Sequence, residues 1–571
     1  MKLITGALVA AVSCLAAGFS GPIFAAGAPP AVTLVLKPHA APGQDGYIGV
    51  TMTIQAPNLQ AGSPLVRLPL TLVGIPGARY DGNALTAHDD AGSLPLTLSQ
   101  EPATVEGVYR CWSVARATKG DVVLTFKAPP RVVTSSTNNG PLFDLREENG
   151  GFEGAGVSFM VTPVAEGPYK VHLKWDLSDM PAGSKGVWSL GDGEVTAIVP
   201  SDVLSFSYYA AGPLKSLPVS PDARLNVYWL NDPPFDAQAL GQWVSRFYDY
   251  TSHFFGDAKS SYRVFMRQNP YVGLGGTALA HSFMFGYYPP AKPTLSSLRD
   301  LLSHEMTHTW PSLQGTHGDT AWYTEGTAEY YSLLFAYRAG LLTTDEYLQR
   351  INDRAAGYYT SPSRNMPMAA VAKLYWKDPT MQRDPYGRGF LYLAQTDAAI
   401  RAKSGGKHSL DDIVLELYRR SQRNEPYGVA QWLDLVGKEL GPAEAKQAFD
   451  AMTSGQTLMI PPSSHAPCFK VVSQPHRIFE MGFVRSTPNS DAVVSELKPD
   501  SAAARAGVRN GDQIIRSPDT TKARFDDSAE ISVELERNGK KFTATYIPRG
   551  AMVDAYHWER QPGVDSAACK F

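Results

Sequence analysis

Short segments of alternating apolar and polar residues fill the first part of the chain. Residues 32–36, 49–54 and 170–175 are examples, and Gly, Pro, Asp and Asn separate such segments at short intervals. Alternation with a period of two puts one face of a strand in a core and the other in solvent. The pattern therefore predicts an all-β, sandwich-like domain over residues 27–220. No cluster of reactive side chains occurs there, which favours a scaffold or substrate-access role.

The pattern changes after residue 221. Residues 225–230 and 263–267 have the composition of strands, and the segment 237–255 has apolar residues at helical spacing. Longer helical patterns follow, and they favour an α+β domain over residues 221–465 that becomes almost wholly helical. These helical patterns cover roughly residues 296–310, 322–339, 344–356, 386–403, 409–421 and 428–438.

The β pattern returns in the last part of the chain, residues 466–571. Between about residues 477 and 548 it describes a compact module. Within it, the run 491–515 combines a strand, a short Ala-rich helix, a tight turn at Gly511 and a returning strand. The chain is therefore predicted to be multidomain, with a β-rich, an α+β and a second β-rich part.

Composition supports a globular protein with large cores. Hydrophobic residues make up 43% of the 571 residues and charged residues 19%, which excludes disorder of the whole chain. The formal net charge is −3, without a block of like charges. General electrostatic attraction to nucleic acid or to an anionic membrane therefore has no support, and we expect no nucleic-acid partner.

The N-terminal segment has the organisation of an export signal. Lys2 provides a minimal positive start, and residues 3–19 are apolar or small. Small residues around Ala25 and Ala26 offer a cleavage point. We expect residues 1–26 to be a signal peptide that is removed from a periplasmic or secreted protein. A transmembrane anchor is the alternative, but Gly, Ser and Pro interrupt the apolar run early and it is short for a span.

A lipidated cysteine at Cys14 is a further alternative for this segment, although the signal before it would be unusually short. No later stretch is apolar for long enough to cross a bilayer, so no transmembrane anchor is expected in the mature chain. After removal of the signal, Cys111, Cys468 and Cys569 remain. In an oxidising compartment Cys468 and Cys569 can form a disulfide that fastens the tail across the C-terminal module, and three unpaired thiols are the alternative.

The segment 301–310 carries the most informative residues. His304 and His308 are four apart, so on a helix both imidazoles point from one face toward one cation. Glu305 lies one residue round the helix, within reach of a water molecule beside the cation. The pattern His-Glu-x-x-His predicts two zinc ligands and a general base. Chance occurrence of two histidines on a surface or core helix is the alternative.

Local signals place this motif on a helix. Ser297 and Asp300 resemble a capping box, an apolar face is formed by three leucines, and Pro311 stops the helix after Trp310. The three leucines are Leu298, Leu301 and Leu302.

A third protein ligand is expected farther along the chain, because catalytic zinc takes three protein ligands and keeps one open position. The second helical stretch, near Trp322, contains Glu325 and Glu329. We predict that Glu325 is the ligand and that Glu329, one turn later, orients a ligand, with Glu329 as the fallback ligand. Two ordinary solvated glutamates are the alternative. One Zn²⁺ per chain is expected.

Together these motifs resemble the gluzincin metallopeptidases, and especially the glycyl aminopeptidase family, whose members often carry a C-terminal PDZ domain. The resemblance implies that the central domain has a thermolysin-like fold. Related aminopeptidases of the aminopeptidase N type have a later Tyr-x-Lys-Gly motif, which matches Tyr386-Gly-Arg388-Gly389 here. The resemblance implies that Tyr386 donates a hydrogen bond to the oxyanion and that Arg388 keeps the charge of the family's Lys beside the substrate.

The family's Gly-Gly-Leu-Glu-His run at the edge of the cleft corresponds to residues 275–282. By the resemblance, Gly275, Gly276, His281 and Ser282 are expected to contact substrate. The glutamate that holds the substrate's free amino group in the family appears here as Ala280. Endopeptidase action therefore stays open, and a packed histidine on a strand is the alternative for position 281.

The C-terminal module resembles a PDZ domain. In that resemblance Gly482 lies in the loop whose backbone N–H groups receive a terminal carboxylate, and Phe483 leads the edge strand to which a peptide adds. The expected partner is a peptide C-terminus, and a purely bracing role for the module is the alternative.

The sequence thus predicts an exported zinc metallopeptidase that acts on peptides or proteins. The resemblance implies an aminopeptidase that prefers a small N-terminal residue, Gly or Ala. The alternatives are a non-catalytic, PDZ-based peptide-binding or chaperone-like protein, an endopeptidase without free-amine recognition, and a zinc-assisted hydrolase of a non-peptide bond.

Overall fold

The structure is a computed structural model. The predicted signal peptide, residues 1–26, lies outside the described residues, and Cys14 with it. The model describes residues 29–571 except 41–45, 105, 135–136, 138–139, 166, 219–222, 377, 487–492, 517, 521, 525 and 570.

The N-terminal part is built of strands, as the alternating pattern predicts. They are β1 (Ala31–His39), β2 (Tyr47–Ile54), β3 (Pro64–Leu72), β4 (Ile75–Pro76), β5 (Leu85–Asp89), β6 (Gly92–Ser93), β7 (Leu96–Gln100), β8 (Gly107–Val114), β9 (Val122–Ala128), β10 (Arg146–Glu148), β11 (Gly151–Ala155), β12 (Thr162–Pro163), β13 (Pro168–Trp175), β14 (Lys185–Trp188), β15 (Gly191–Asp192), β16 (Val195–Pro200) and β17 (Tyr208–Gly212).

Three sheets form from these strands, in the orders β16-β13-β1-β2-β9-β5-β6, β12-β3-β8-β7 and β10-β11-β17-β14-β15. Burial alternates residue by residue along β1 and β2, so that Leu34 and Met52 point inward. They share a core with Leu68 and Trp112 of the second sheet. The predicted β-rich N-terminal domain is confirmed.

The central part combines one sheet with a helical region. Its elements are β18 (Lys215–Leu217), β19 (Leu225–Trp229), α1 (Ala237–Phe254), β20 (Tyr262–Gln268), β21 (Gly275–Leu279), β22 (Ser282–Tyr287), α2 (Leu295–Thr307), α3 (His317–Arg338), α4 (Thr344–Tyr359), α5 (Met368–Leu374), α6 (Pro379–Ser404), α7 (Leu410–Gln422), α8 (Val429–Leu440) and α9 (Pro442–Ser454).

The central sheet has the order β18-β19-β20-β22-β21. Strands β19, β20 and β22 run parallel, whereas β21 forms an antiparallel hairpin with β22 and ends the sheet. Strand β21 lies against α2. One edge of the sheet is thereby placed beside the helix that carries the His-Glu-x-x-His motif.

Helix α2 begins one turn earlier than its predicted cap. Thr294 is the N-cap, its side chain accepts a hydrogen bond from the Ser297 N–H, and the Ser297 hydroxyl accepts one from the Thr294 N–H. The expected pairing of Ser297 with Asp300 is therefore wrong. Asp300 instead forms an ion pair with Arg350 of α4, at 2.7 Å.

The C-terminal part contains β23 (Phe469–Ser473), β24 (His476–Phe479), β25 (Val484–Ser486), β26 (Val493–Ser495), α10 (Ala502–Arg505), β27 (Gln513–Arg516), β28 (Ile531–Arg537), β29 (Lys540–Tyr546), β30 (Arg549–Val553) and β31 (Tyr556–Arg560). Strands β25 to β29 form one antiparallel sheet in chain order, and β23–β31 and β24–β30 are separate pairs.

Packing divides this part in two. The five-stranded sheet and α10 have their own core, which includes Val494, Val533 and Leu535. In contrast, the pair β23–β31 packs with the central domain through Phe469 and Trp558. The flanks of the predicted C-terminal domain, residues 466–571, are therefore part of the central core.

A disulfide links Cys468 to Cys569 at a Cα–Cα distance of 5.4 Å. Both cysteines are buried in the central core. The bond fastens the C-terminal tail to the start of β23, while Cys111 is a buried free thiol in β8. None of the helices in the described part of the chain is both long and apolar enough to cross a bilayer.

Candidate metal centre

Helix α2 brings His304 and His308 together at its C-terminal end. Their Nε2 atoms are 3.1 Å apart, and both side chains are at most 3% exposed. The apolar face of the helix packs in the central core and turns the opposite face, with the two imidazoles, toward α3. The i, i+4 spacing thus places two nitrogen donors on one side, as the sequence predicts.

Helix α3 supplies the carboxylates. The Oε2 atom of Glu325 lies 3.4 Å from His304 Nε2 and 3.7 Å from His308 Nε2. Glu329, one turn later, lies on the other side of His304, with Oε1 3.1 Å from Nδ1. Glu325 therefore lies with the two Nε2 atoms, and Glu329 contacts the far nitrogen of the same ring.

These distances fit a zinc ion. Ligand atoms at about 2.0–2.1 Å from a tetrahedral zinc lie about 3.3 Å from one another. The three donor atoms of His304, His308 and Glu325 are separated by 3.1, 3.4 and 3.7 Å. They form the group of metal-ligating side chains found among the described residues. Glu329 occupies the position that a partner of the zinc-bound ring takes in such sites.

Electrostatics also favours a cation here. Burial lowers the pKa of His304, but its hydrogen bonds to Glu325 and Glu329 outweigh burial and raise it to about 10. Burial and then the charge of His304 hold the pKa of His308 well below its ordinary value. Burial raises the pKa of Glu325. The two carboxylates thus favour a positive charge at His304. A divalent cation bound between His304 and Glu325 would supply that charge.

Glu305 faces the edge strand rather than the two histidines. A Cβ atom at Gly276 of β21 would lie 2.5 Å from Glu305 Cγ and 2.6 Å from its Cδ. Only glycine therefore leaves room for this carboxyl group. Burial raises the pKa of Glu305 to about 8. The group lies between α2 and β21, where a substrate backbone paired to the edge strand would pass.

Tyr386 of α6 completes this part of the site. Its ring stacks on the imidazole of His304, with centroids 5.6 Å apart, and it is 5% exposed. A hydrogen bond from Tyr386 also acts on Glu325 and opposes the rise of its pKa. The predicted catalytic tyrosine therefore lies beside the metal ligands.

Arg388 does not reach this centre, which corrects the expected substrate contact. It is 1% exposed and pairs with Asp384 at 2.9 Å. Its guanidinium also donates to the backbone carbonyls of Ser363, Arg364 and Met452. All of its identified partners are structural, so Arg388 ties α6 to neighbouring segments.

Two further expected substrate contacts are placed elsewhere. The hydroxyl of Ser282 is buried, 2.7 Å from Ser189 Oγ of the N-terminal domain, and donates to the Ala280 carbonyl. His281 is exposed at the hairpin turn between β21 and β22, with φ of 46°. The turn lies past the end of β21, away from Gly276. Gly275 and Gly276 are the members of this run that lie beside α2.

Glu153 is a residue that the sequence analysis missed. It is 1% exposed, and neither carboxylate oxygen has a hydrogen-bond partner among the described residues. It pairs with Ala210 across β11 and β17, so its side chain shares a face with Ala210 and Tyr208. That face packs on β21, where the Tyr208 hydroxyl donates to the Thr277 carbonyl. Burial raises the pKa of Glu153 well above its ordinary value.

No pattern in the sequence points to Glu153, because its segment, Gly-Phe-Glu-Gly-Ala, has the composition of an ordinary strand. Only the packing of the folded chain shows that this carboxyl group is buried without a hydrogen bond to any described residue.

The predicted peptide-binding residues of the C-terminal module lie at the start of its edge strand. Gly482 has φ of 86°, and a Cβ atom there would lie 2.7 Å from Ser501 Oγ. Phe483 packs against the module's core. Strand β25 pairs with β26 on one side and ends the sheet on the other.

The fold and this centre define the class of the protein as a metallopeptidase hydrolase with a gluzincin-like fold. The model of the M61 glycyl aminopeptidase family matches residues 312–387, which include Glu325 and Tyr386. The predicted resemblance and enzyme class are confirmed by this match together with the fold.

Solved structures give the fold comparison. An aminopeptidase N family protein from Idiomarina loihiensis has a TM-score of 0.65 at 15% identity, over 93% of this chain and 98% of that chain. An M1 zinc metallopeptidase from Deinococcus radiodurans has a TM-score of 0.46 at 18% identity, over 76% and 95%. Native yeast LTA4 hydrolase has 0.46 at 14%, over 76% and 68%.

The first of these matches shows that the two chains share a fold. A comparison with curated protein sequences finds no match.

Proposed function

We propose that the chain is an exported, zinc-dependent aminopeptidase that removes small N-terminal residues, Gly or Ala, from peptides. The observation that carries the proposal is the convergence of His304, His308 and Glu325 beside the edge strand β21, with Glu305 between them and the strand. The match of the M61 glycyl aminopeptidase model to residues 312–387 supports the preference for Gly.

The residues have separate roles in hydrolysis. Zinc bound by His304, His308 and Glu325 would polarise the scissile carbonyl and activate water near neutral pH. Glu305 takes the proton of the attacking water and passes it to the leaving amine. Tyr386 donates a hydrogen bond to the developing oxyanion.

Glu153 supports the aminopeptidase form of the proposal. Position 280 is alanine, so the carboxylate expected to bind the substrate's amino group is absent there. Glu153 offers a buried carboxyl group with no hydrogen-bond partner among the described residues, on the face that packs on β21. A protonated amine would supply the hydrogen bonds that this group lacks. We assign Glu153 the role of binding the substrate's free amino group.

The catalytic proposal is tested by metal analysis and one substitution. Wild-type protein should contain one zinc per chain and hydrolyse Gly- or Ala-initiated peptides. The Glu305→Gln variant should keep its zinc and lose about 100- to 10,000-fold in kcat. Hydrolysis unaffected by this change would contradict the role of Glu305, and peptide binding without zinc or hydrolysis would favour the non-catalytic alternative.

The exopeptidase proposal is tested with matched peptides. Digestion of a mixed peptide library, followed by product sequencing, should show release of single N-terminal residues. In Glu153→Gln, KM for peptides with a free amine should rise about tenfold or more, as for loss of a charged partner. Glu194→Gln is the control, because Glu194 is a carboxylate of the same domain that is 58% exposed. Internal cleavage that is insensitive to Glu153→Gln would establish an endopeptidase.

For the C-terminal module we propose a PDZ fold that binds peptide C-termini. Its support is the separate core, the left-handed Gly482 and the open edge of β25, where Val484 is 48% exposed. Titration with peptides that have free or amidated C-termini tests this, with preference for the free carboxylate expected. Equal binding of both, or none, would favour a bracing role.

We also propose export to the periplasm or medium. The signal-like segment 1–26 and the buried Cys468–Cys569 disulfide support it. N-terminal sequencing of the mature protein should find a start near Ala26 or Gly27. An intact N-terminus on a membrane fraction would indicate an anchor instead.

A further inference from the structure

Two charged residues on α4 connect the helices that carry the metal ligands. Arg354 forms an ion pair with Glu329 of α3 through Nε, and its Nη2 lies 3.5 Å from Asp300 Oδ2 of α2. Arg350 lies one turn earlier on α4. Of the two carboxylates it pairs only with Asp300, with Nε 2.7 Å from Oδ1. Arg354 is thus the residue that contacts carboxylates on both ligand helices.

The two carboxylates lie one helical turn from a metal ligand. Asp300 precedes His304 by four residues on α2, and Glu329 follows Glu325 by four residues on α3. Glu329 also contacts His304 directly, with Oε1 3.1 Å from Nδ1. A continuous series of contacts therefore runs from the guanidinium of Arg354 through Glu329 to the imidazole of His304.

This arrangement leaves Glu329 dependent on Arg354. The Glu329 side chain is 11% exposed and that of Arg354 16%, so the pair is largely desolvated. Without Arg354, Glu329 keeps its Oε1 contact with His304 but loses the guanidinium that holds Oε2, so the carboxylate is expected to rotate. The orientation of His304 would change with it, because the other ring nitrogen sets the direction of a metal ligand.

From these contacts we infer that Arg354 is a positioning residue of the zinc site, which fixes Glu329 and through it the His304 imidazole. The inference rests on the proposed function, since it assigns zinc to this centre. By this inference α4, which carries no metal ligand, helps to orient a ligand of α2.

The test compares Arg354→Met with Arg350→Met as a matched control. Both substitutions remove a buried guanidinium from the same face of α4, and both cost stability. Zinc affinity is measured by competition with a chelator, and ligand geometry by the absorption spectrum of the Co²⁺-substituted protein. Arg354→Met should weaken zinc binding about 10- to 100-fold and alter the Co²⁺ spectrum. The zinc affinity of Arg350→Met should stay within about threefold of that of wild type, because Arg350 contacts Asp300 and Asp300 is not a metal ligand.

Arg354→Lys keeps the charge but loses the forked geometry that reaches two carboxylates. Arg354→Lys should weaken zinc binding about 3- to 10-fold, an effect between those of wild type and Arg354→Met. If Arg354→Met does not fold, Arg354→Lys provides the test. Wild-type zinc affinity in both Arg354 variants, or an equal loss in Arg350→Met, would overturn the inference.

The proposed function fails separately. A wild-type protein that binds zinc but does not cleave peptides overturns the peptidase proposal and leaves the Arg354 comparison intact. A wild-type protein that cleaves peptides while the Arg354 variants bind zinc normally overturns the positioning role alone. Absence of zinc from folded wild-type protein would overturn both.

Discussion

The ring of Tyr386 lies parallel to the imidazole of His304, with centroids 5.6 Å apart and 9° between the planes. The stack joins α6 to the helix of the metal ligands. It places the tyrosine hydroxyl beside Glu325, with which it interacts. The ring therefore has a packing role, and the hydroxyl interacts with the carboxyl group of Glu325.

Replacing Tyr386 by Phe separates these two roles. The ring and its stack on His304 remain, and only the hydrogen bond to the ligand Glu325 is lost, so zinc affinity should fall at most about tenfold. Loss of the hydroxyl should lower kcat about 100- to 1,000-fold, as for removal of one oxyanion donor. Steady-state kinetics and chelator competition measure the two effects. A kcat within threefold of wild type would show that the hydroxyl is not used.

Gly276→Ala tests the contact between β21 and the general base. The added Cβ would lie 2.5 Å from Glu305 Cγ, so the carboxyl group must shift. A displacement of about 1 Å should lower kcat about 100-fold. The control is Gly241→Ala on α1, where the nearest atoms, of Leu217, are 3.5 and 3.6 Å away. The control should leave kcat unchanged and stabilise the helix by up to about 1 kcal/mol.

The disulfide should contribute strongly to stability. Cys468 and Cys569 are 101 residues apart, and closing a loop of that length stabilises by about 4–5 kcal/mol on the chain-entropy model. Thermal denaturation in the presence of a reductant should match that of the Cys468→Ser, Cys569→Ser double variant. Cys111→Ala, which removes the free thiol of β8, should keep the sensitivity to reductant. A wild-type melting curve that the reductant does not change would contradict this role.

His465 should make the protein less stable in mild acid. Burial lowers the pKa of His465 to about 4, with smaller effects of Asp397 and Arg401. Its ring is held neutral by contacts with Tyr347 Oη at 2.9 Å and Ser464 Oγ at 3.0 Å. Because the unfolded chain binds the proton at about pH 6.5, stability is present above that pH and is lost as pH falls toward 4.

The loss should amount to about 2 kcal/mol, since the ring is partly exposed. Urea denaturation of wild type and His465→Gln between pH 7 and 4 measures it, and the variant should show a flatter dependence. His408 is the control. It is exposed, and its hydrogen bond to Glu439 raises its pKa, so His408→Gln should shift the curve slightly in the opposite direction. Parallel curves for wild type and His465→Gln would contradict the prediction.

The metal-binding motif could be predicted because its geometry is local. Four residues along a helix give one face, so the spacing of His304 and His308 alone defines how two nitrogens approach each other. The alternation in β1 and β2 is likewise local and predicted the β-rich domain. The need for a third zinc ligand extended the prediction to Glu325, and the family resemblance extended it to Tyr386; the structure brings both to the same centre.

The errors arose where side chains choose partners distant in the chain. Arg388 keeps the positive charge of its motif, but the carbonyl groups of Ser363, Arg364 and Met452, which are 24 to 64 residues away, hold it away from the centre. Ser282 belongs to the expected edge run, yet its hydroxyl contacts Ser189 of another domain. No local pattern records such choices, because they depend on which surfaces meet.

By itself, then, the sequence determined the periodic elements, the paired imidazoles with their adjacent glutamate, and the class of chemistry that these residues suit. Tertiary structure alone decided that Glu153 is buried without a hydrogen-bond partner among the described residues. It also decided that Arg354 contacts carboxylates on both ligand helices. The physical reason is that periodicity and helix spacing act over a few residues. Desolvation and ion pairing act between side chains that only folding brings together.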